Sequence, residues 1–283
     1  MWIDSRLKFR THCMSVGEKA KSNMSKFRAV AKARWGLRGK DLLSIYGAIF
    51  VPTITYAAGA WALKVTKKDI SRLATTQRSA LLVATRAYRT ISGPALLVIA
   101  EVRHIQREME LEVLRHGIRR GVLTEIGGRS YDPNTEDPMT LKERLQENQD
   151  EVDQLEWLED TRGRITYEFF PSVQGRRDSP WVVPSYCLSQ YLSHGNFKSK
   201  LRKFNLVRSD RCKCGLEDTV QHTFREFPEL QEYRDEYRAE LAAAGITWPI
   251  TAEESVSENA AEMTILYAKR VLQQKEAWDS TLG

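Results

Sequence analysis

The chain has 283 residues, of which 42% are hydrophobic and 28% are charged, proportions that are ordinary for a soluble globular protein and argue against disorder. Its net charge of +6 is unevenly distributed, because residues 1–110 carry 20 Lys and Arg against 7 Asp and Glu. This excess predicts a polyanionic partner for the first part of the chain.

Targeting signals and cysteine content predict a compartment. We find no apolar run that approaches the ~18 residues needed to span a bilayer, and MWIDSRLKFR lacks the apolar core of a signal peptide. Only four cysteines occur, two of them too close together for an easy disulfide. We therefore expect an intracellular protein without a membrane partner, in a reducing compartment.

The apolar periodicity along the chain is helical, without a succession of alternating strands, and predicts an all-α fold. From Lys40, GKDLLSIYGAIF predicts a helix that Pro52 kinks or ends. The apolar residues on one side of this helix are Leu42, Leu43, Tyr46, Ile49 and Phe50.

A second helix is predicted over residues 67–88, because Thr66 and Asp69 form a capping box. Its apolar stripe comprises Ile70, Leu73, Ala74, Gln77, Leu81, Ala84 and Tyr88. Its basic residues are Lys67, Lys68, Arg72, Arg78, Arg86 and Arg89. Helical geometry clusters Lys68, Arg72 and Arg86 on the far side. Such a face is either solvated or in contact with phosphates, and the near absence of acids favours phosphates.

The glycine- and proline-rich segment GGRSYDPNTEDP predicts a linker over residues 127–140, between a helical domain at 1–126 and a helical region at 141–283. A helix over roughly 103–123 precedes it. After it, Thr140 and Glu143 form a capping box for an amphipathic acidic helix. The apolar positions of that helix are Leu145, Val152, Leu155 and Leu158. Further helices are predicted near 186–192, 229–244 and 258–278.

A basic run, NFKSKLRKFNLVRSDRCK, starts at Asn196 and leads into a cysteine box. It contains seven basic residues and one acid, which predicts contact with nucleic acid. The basic residues are Lys198, Lys200, Arg202, Lys203, Arg208, Arg211 and Lys213.

The cysteine box at 211–228 has the ligand spacing of a zinc knuckle with one ligand missing. Cys212, Cys214 and His222 supply three donors, Gly215 suits the turn, and Phe227 occupies the fourth position. A pair of buried cysteines beside a core histidine explains the pattern equally well. If zinc binds, the fourth ligand is water or one of three neighbouring residues: Cys187, His194 or Glu226.

Catalytic motifs are not evident in the sequence. The adjacent acids Glu159-Asp160, Glu217-Asp218 and Glu253-Glu254 follow no apolar strand, so we interpret them as solvated surface. Phosphate loops, nucleophile elbows and HExxH helices do not occur. We interpret three histidines on helical segments as surface or packing residues: His12, His104 and His116.

Five segments together resemble the C-terminal part of the reverse transcriptases of non-LTR retrotransposons, of the jockey-like and rDNA-inserting insect kind. They are IDSRLKFRTH, LLSIYGAIFVPTITYAAGAW, TTQRSALL, RAYRTISGPALLVIAEV and the region from QYLSHGNF through the cysteine box. The second matches the family pattern at Tyr46, Ala48, Pro52, Tyr56, Ala58 and Trp61. The box departs from the pattern by having Ser193 for glycine, Asp218 for glutamate and Phe227 for cysteine, while Pro228 is retained.

The resemblance implies a helical thumb-like bundle followed by a smaller helical region with a degenerate CCHC-type knuckle. It also implies that the chain binds nucleic acid during retrotransposition, either the template–primer duplex, the element RNA or target DNA, and that it does so in the nucleus when the target is DNA. The upstream polymerase domains of the same element are the implied protein partners. The family is an RNA-directed DNA polymerase, but its catalytic aspartates would precede Met1, so we expect no synthesis by this chain alone. The alternative is a stand-alone nucleic-acid-binding or interaction module from a truncated element.

Overall fold

The computed structural model describes residues 8–29, 31 and 36–281. Residues 3–7 of the IDSRLKFRTH segment lie outside this range. The described residues are mostly helical with one short β-hairpin, so the all-α prediction is confirmed. In chain order the elements are α1 (Arg10–Ser25), α2 (Gly39–Ile45), α3 (Val51–Thr55), α4 (Ala58–Trp61), α5 (Lys67–Thr85), α6 (Gly93–Ala100), α7 (Ile105–Arg120), β1 (Thr124–Ile126), β2 (Arg129–Tyr131), α8 (Pro138–Glu159), α9 (Arg164–Phe169), α10 (Val173–Arg177), α11 (Tyr186–Tyr191), α12 (Lys198–Lys203), α13 (Gln231–Ala243), α14 (Ala252–Ser255) and α15 (Ala261–Thr281).

The chain forms two compact units, Met1–Ala84 with Ala100–Glu159, and Thr85–Ile99 with Asp160–Gly283. This division differs from the predicted one at residues 127–140. Part of that segment folds into β2 of an antiparallel hairpin, in which Thr124 pairs with Tyr131. Tyr131 joins Leu114 of α7 and Leu145 of α8 in one buried cluster. The segment therefore belongs to the core of the first unit, because its apolar residues pack against both flanking helices.

In the first unit, the stretch Gly39–Lys64 is long and apolar enough to cross a membrane, with a mean hydropathy of 1.5. This corrects the prediction that no such run exists. Core helices meet the same criteria, and here Leu42, Phe50 and Trp61 are fully buried within the folded unit. The helix is also interrupted, since Tyr56 leaves helical geometry and Ala57 is left-handed.

A π-helical turn at Tyr46–Phe50 explains how the helix continues past Pro52, where the sequence predicts a kink or an end. The Val51 amide bonds to the carbonyl of Tyr46, five residues back, so one residue is inserted ahead of the proline. Pro52 then lies at the start of α3, where its missing N–H removes no helical hydrogen bond.

Helix α5 begins with the predicted capping box. The Asp69 amide donates to Thr66 Oγ1 at 3.2 Å, and Asp69 Oδ2 accepts from the Thr66 amide at 3.4 Å. Its buried Gln77 donates to Tyr46 Oη and accepts from the Ile105 amide, both at 2.9 Å. These bonds join α5 to the π-helical turn and to the start of α7.

Helix α8 starts earlier than the Thr140 and Glu143 capping box predicts. Asp137 caps it by accepting the amides of Met139 and Thr140. Near its end Leu155 and Leu158 are more than half exposed and Trp157 is buried, so the predicted apolar stripe is wrong there. The large aromatic ring at 157 takes the core position that the spacing assigns to leucine.

The second unit is built on aromatic packing around α11, α13 and α15. Tyr191, Phe224, Tyr267 and Tyr237 follow one another in ring contact, with centroid distances of 4.9, 5.9 and 4.5 Å. The buried Tyr237 hydroxyl also hydrogen-bonds Thr264 of α15. The cysteine box lies on this framework, because Phe224 belongs to the π-helical turn His222–Glu226 of the box.

Candidate functional site

The cysteine box folds into a tight turn that carries both thiols. The Cys212 amide donates to the Leu216 carbonyl at 2.7 Å, and the Gly215 amide donates to the Cys212 carbonyl at 3.0 Å. Gly215 has φ +89°, a conformation that side chains with Cβ rarely adopt. Arg211 and Glu217 close the turn through an antiparallel bridge. The turn therefore needs glycine at 215, as the sequence predicts.

The three predicted ligands converge. The Sγ atoms of Cys212 and Cys214 and a ring nitrogen of His222 all lie within 4.8 Å of one another. Cys214 Sγ is 3.2 Å from His222 Nε2. Ligand atoms of tetrahedral zinc lie about 3.5 Å apart, given Zn–S and Zn–N bonds of about 2.3 and 2.0 Å. The group is therefore a possible metal-binding site with three donors.

None of the three residues suggested as a fourth ligand joins this group. Glu226 lies on the far side of the imidazole, with Oε2 3.5 Å from His222 Nδ1. His194 has Nε2 2.9 Å from the Thr90 carbonyl and Nδ1 3.0 Å from the Gly195 carbonyl. Cys187 is outside the group. Glu226 instead has the position of a carboxylate that orients a metal-bound histidine.

Phe227 places an apolar ring at the position in the box where the pattern has the fourth metal ligand. Its ring is buried, 5.5 Å from His222 and 5.5 Å from Trp278 of α15 by centroid distance. Its amide donates to the His222 carbonyl at 2.8 Å, and its carbonyl accepts from the Arg234 guanidinium at 2.5 Å. The residue therefore connects the box to α13 and α15 through packing.

The thiols of this site must lose their protons before they can bind a metal ion, and the cost of that loss weakens metal binding. Burial is the main cause that raises the pKa of the Cys212 thiol, and the thiol of Cys214 contributes further. Zinc binds thiolates, so a metal ion must displace these protons. A site with only three donors, one of them a thiol of raised pKa, fits weaker metal binding than a complete four-ligand knuckle.

Asp218 is an organising residue that the sequence analysis assigned to the solvated surface, and this interpretation is wrong. Asp218 is completely buried. Its carboxylate accepts from the Lys198 amide at 2.9 Å and from Lys275 Nζ at 2.9 and 3.0 Å. The Thr223 hydroxyl donates to it at 3.2 Å. Asp218 thus ties the box to the start of α12 and to α15. The only sequence signal for it is the acidic position in the family pattern.

In the basic run that starts at Asn196, which we call the second basic run, some basic side chains are in ion pairs and others are not. Lys213 Nζ is 2.5 Å from Glu229 Oε2 and 4.3 Å from the Trp278 ring centroid, and Arg211 Nε is 3.6 Å from Asp210 Oδ1. By contrast, three exposed side chains have no ion pair with any described residue. These are Arg202, Lys203 and Arg208.

Phe204, at the end of α12, is a candidate contact residue that the sequence analysis missed. Phe204 is 47% exposed, which is high for a large apolar residue, and it directly follows the exposed Arg202 and Lys203. Lys200 Nζ lies 5.5 Å from its ring centroid. We call residues 198–208 the basic α12 segment. Its candidate contact residues are Lys200, Arg202, Lys203, Phe204 and Arg208. Lys198 differs from the others, because it caps onto Asp218 through its amide.

We call the basic residues between Lys67 and Arg89 the first basic run. They do not form the predicted face. Helix α5 ends at Thr85, and Arg86 adopts φ 55°, so Arg86 does not continue the row of Lys68 and Arg72. Arg72 Nη1 is bound to Asp69 Oδ1 at 3.1 Å. Burial lowers the pKa of Arg78 and of Arg86, both half-buried. Only three side chains of the run are classed as exposed: Lys67, Lys68 and Arg89.

Comparisons with known proteins match R1 retrotransposable elements. The chain is 34% identical over 237 residues to the Retrovirus-related Pol polyprotein from type-1 retrotransposable element R1 4 of Nasonia vitripennis, covering 83% of this chain and 60% of that protein. It is 29% identical to the corresponding R1 polyprotein of Bradysia coprophila, covering 83% of this chain and 24% of that protein.

A third relative is the Putative 115 kDa protein in type-1 retrotransposable element R1DM of Drosophila melanogaster, 28% identical over 75% of this chain and 21% of that protein. No family model and no solved structure matches the chain. The chain thus spans between about a fifth and three fifths of these relatives. It is homologous to the Pol polyproteins of R1 retrotransposable elements, which fits the resemblance to a non-LTR, R1-type reverse transcriptase region.

Proposed function

We propose that this chain is the C-terminal, nucleic-acid-binding portion of an R1-type reverse transcriptase. In this role it holds RNA or target DNA for polymerase domains supplied elsewhere in the polyprotein, acting in the nucleus when the target is DNA. The observation that carries the proposal is a set of exposed side chains in the basic α12 segment that have no acidic partner in the part of the chain that the structure describes: Arg202, Lys203 and Arg208. Homology to Pol polyproteins supports nucleic acid as the polyanion.

The chemistry of the segment suits phosphates. Exposed guanidinium and ammonium groups contact phosphate oxygens and release condensed counterions, which supplies affinity without reading the base sequence. Asp218 pairs with Lys275 of α15, and no described acid pairs with Arg202, Lys203 or Arg208. These three side chains therefore keep their positive charge available for a ligand.

We propose that zinc, if present, is held weakly by Cys212, Cys214 and His222. A bound ion would fix the turn that follows the basic α12 segment and would neutralise thiolate charge beside the nucleic acid. Phe227 packing already holds the same turn against α15. Nucleic-acid binding in this proposal therefore does not depend on the metal.

The test is a salt titration of binding, with a fluorescent structured RNA and an RNA–DNA duplex, by anisotropy. The triple variant Arg202→Gln, Lys203→Gln, Arg208→Gln should flatten the slope of log K against log salt by about 2 to 3, because roughly 0.7–0.9 counterion is released per phosphate contact. The matched control removes the same charge at three exposed lysines of the first unit: Lys19→Gln, Lys21→Gln and Lys26→Gln.

The control variant should retain the wild-type slope, and circular dichroism should show both variants folded. An unchanged slope in the α12 variant would refute the proposed surface. Binding that is absent for the wild-type chain at low salt would refute the function altogether.

A further inference from the structure

Phe204 is fixed in place by the end of α12. The Leu206 amide donates to the Leu201 carbonyl at 3.0 Å, and Asn205 adopts the left-handed conformation with φ 55°. This six-to-one bond after a left-handed residue is a Schellman ending, which defines the geometry of the last helical turn. The phenyl ring therefore projects from a rigid backbone and not from a loose loop.

Cationic side chains accompany the ring. Lys200 lies over the ring at 5.5 Å, and Arg202 and Lys203 are exposed beside it in the sequence. Exposure of a phenyl ring to water is unfavourable, and a ligand that covers the ring would recover that free energy. The ligand that matches an open aromatic ring flanked by cations has both a planar π face and negative charge.

We propose that the basic α12 segment binds single-stranded nucleic acid by stacking an unpaired base on Phe204, with the adjoining phosphates on Arg202 and Lys203. The inference rests on the proposed function and deepens it by naming the form of the ligand. A base in a closed duplex has both faces stacked on its neighbours, so the ring can engage only an unpaired base. Phosphate contacts alone would make no use of the ring.

The experiment measures binding of the full chain to a 12-nucleotide single strand, as RNA and as DNA, and to a DNA dumbbell duplex without free ends. Phe204→Leu keeps an apolar side chain but removes the π face, whereas Phe204→Tyr keeps the ring. We expect Phe204→Leu to weaken single-strand binding by roughly 5- to 150-fold, the range for loss of one base–aromatic stack. Phe204→Tyr should bind the single strand as tightly as the wild type does, and Phe204→Leu should bind the dumbbell with the wild-type affinity.

The salt slope separates this inference from the function on which it rests. Phe204→Leu should keep the wild-type slope, because it removes no cation. The exposed Tyr56, in the other compact unit, provides a matched control, and Tyr56→Leu should leave single-strand binding unchanged. If Phe204→Leu binds the single strand as the wild type does, or weakens the dumbbell equally, the stacking inference is overturned while a normal slope still supports the function. Absence of binding to every nucleic acid overturns both.

Discussion

The two basic runs of this chain look alike in sequence and differ in what the fold does with their charge. A buried acid lies in or close to each run: Asp69 lies within the first run, and Asp218 lies just beyond Lys213, the last residue of the second. Asp69 binds Arg72 of its own helix. Asp218 binds Lys275, which comes from α15 and lies 57 residues away in sequence. The first run thus neutralises part of itself, while in the second run Arg202, Lys203 and Arg208 form no ion pair with any described residue.

This difference shows that two basic runs of similar composition can differ in how much unpaired charge they expose among the described residues. The first run also ends its helix before Arg86, and burial lowers the pKa of Arg78. In the second run, a short helix and a Schellman ending present Arg202 and Phe204 to solvent. The following predictions test the contrast in order of decreasing effect.

Replacing Asp218 should have the largest effect on stability. Asp218→Asn leaves the Lys275 ammonium, whose side chain is only 12% exposed, without its carboxylate. Removal of one partner of a buried ion pair costs about 3–5 kcal/mol. Urea unfolding monitored by tryptophan fluorescence should show this loss, and hydrogen exchange should accelerate in α12 and α15.

The exposed neighbour supplies the control, because Glu217→Gln should change the free energy of unfolding by no more than about 0.5 kcal/mol. The double variant Asp218→Asn, Lys275→Met should recover part of the loss, since it removes the unpaired charge. Equal stability of Asp218→Asn and the wild type would mean that the ion pair does not hold the box.

Replacing Phe227 should exchange packing for metal binding. Without metal, Phe227→Cys should lose about 2–4 kcal/mol of stability, because a buried ring that contacts Trp278 is removed. With zinc, the new thiolate supplies the fourth ligand and completes the tetrahedron, and zinc affinity should rise on the order of 100-fold over the wild type. Competition with a chromophoric chelator measures the affinity.

Phe227→Ser creates the same space without a zinc ligand, so it should be destabilised similarly and gain no zinc affinity. In the wild type, elemental analysis should find substoichiometric zinc. One tightly held zinc ion per wild-type chain would contradict the assignment of Phe227 as a packing substitute for the fourth ligand.

Replacing Asp69 should cost less than replacing Asp218. Asp69→Asn weakens the cap of α5 and removes the ion pair with Arg72, whose side chain is 41% exposed. A helix cap contributes about 1 kcal/mol and a partly exposed pair less, so the expected loss is about 1–2 kcal/mol. A loss equal to that of Asp218→Asn in parallel urea titrations would remove the contrast between the two acids.

Charge removal in α5 should have the smallest effect. Lys67→Gln, Lys68→Gln, Arg72→Gln removes three charges, as does the α12 triple variant, but Arg72 is already paired with Asp69. We expect an RNA affinity within about fivefold of the wild type, with a salt slope that changes by less than about 1. A slope change equal to that of the α12 variant would restore α5 as a nucleic-acid face.

Local sequence signals predicted the helices well and the tertiary roles less well. The Thr66 and Asp69 box set the start of α5, and the cysteine spacing predicted three converging ligands, because both features are fixed by residues close in sequence. The role of Asp218 could not be predicted, since its partner Lys275 is distant in the chain. The partition of the core also depends on distant contacts, as Tyr131 shows by packing the predicted linker onto α7 and α8.

The central claim is that the basic α12 segment, and not α5, contacts nucleic acid. Ultraviolet crosslinking of the full chain to a single-stranded RNA, followed by mass spectrometry of the peptide–nucleotide adducts, locates the contact directly. We expect adducts on the peptide that contains Phe204, and their loss in the Phe204→Leu variant. Adducts concentrated on peptides of α5, with the Phe204 peptide unmodified, would contradict the account.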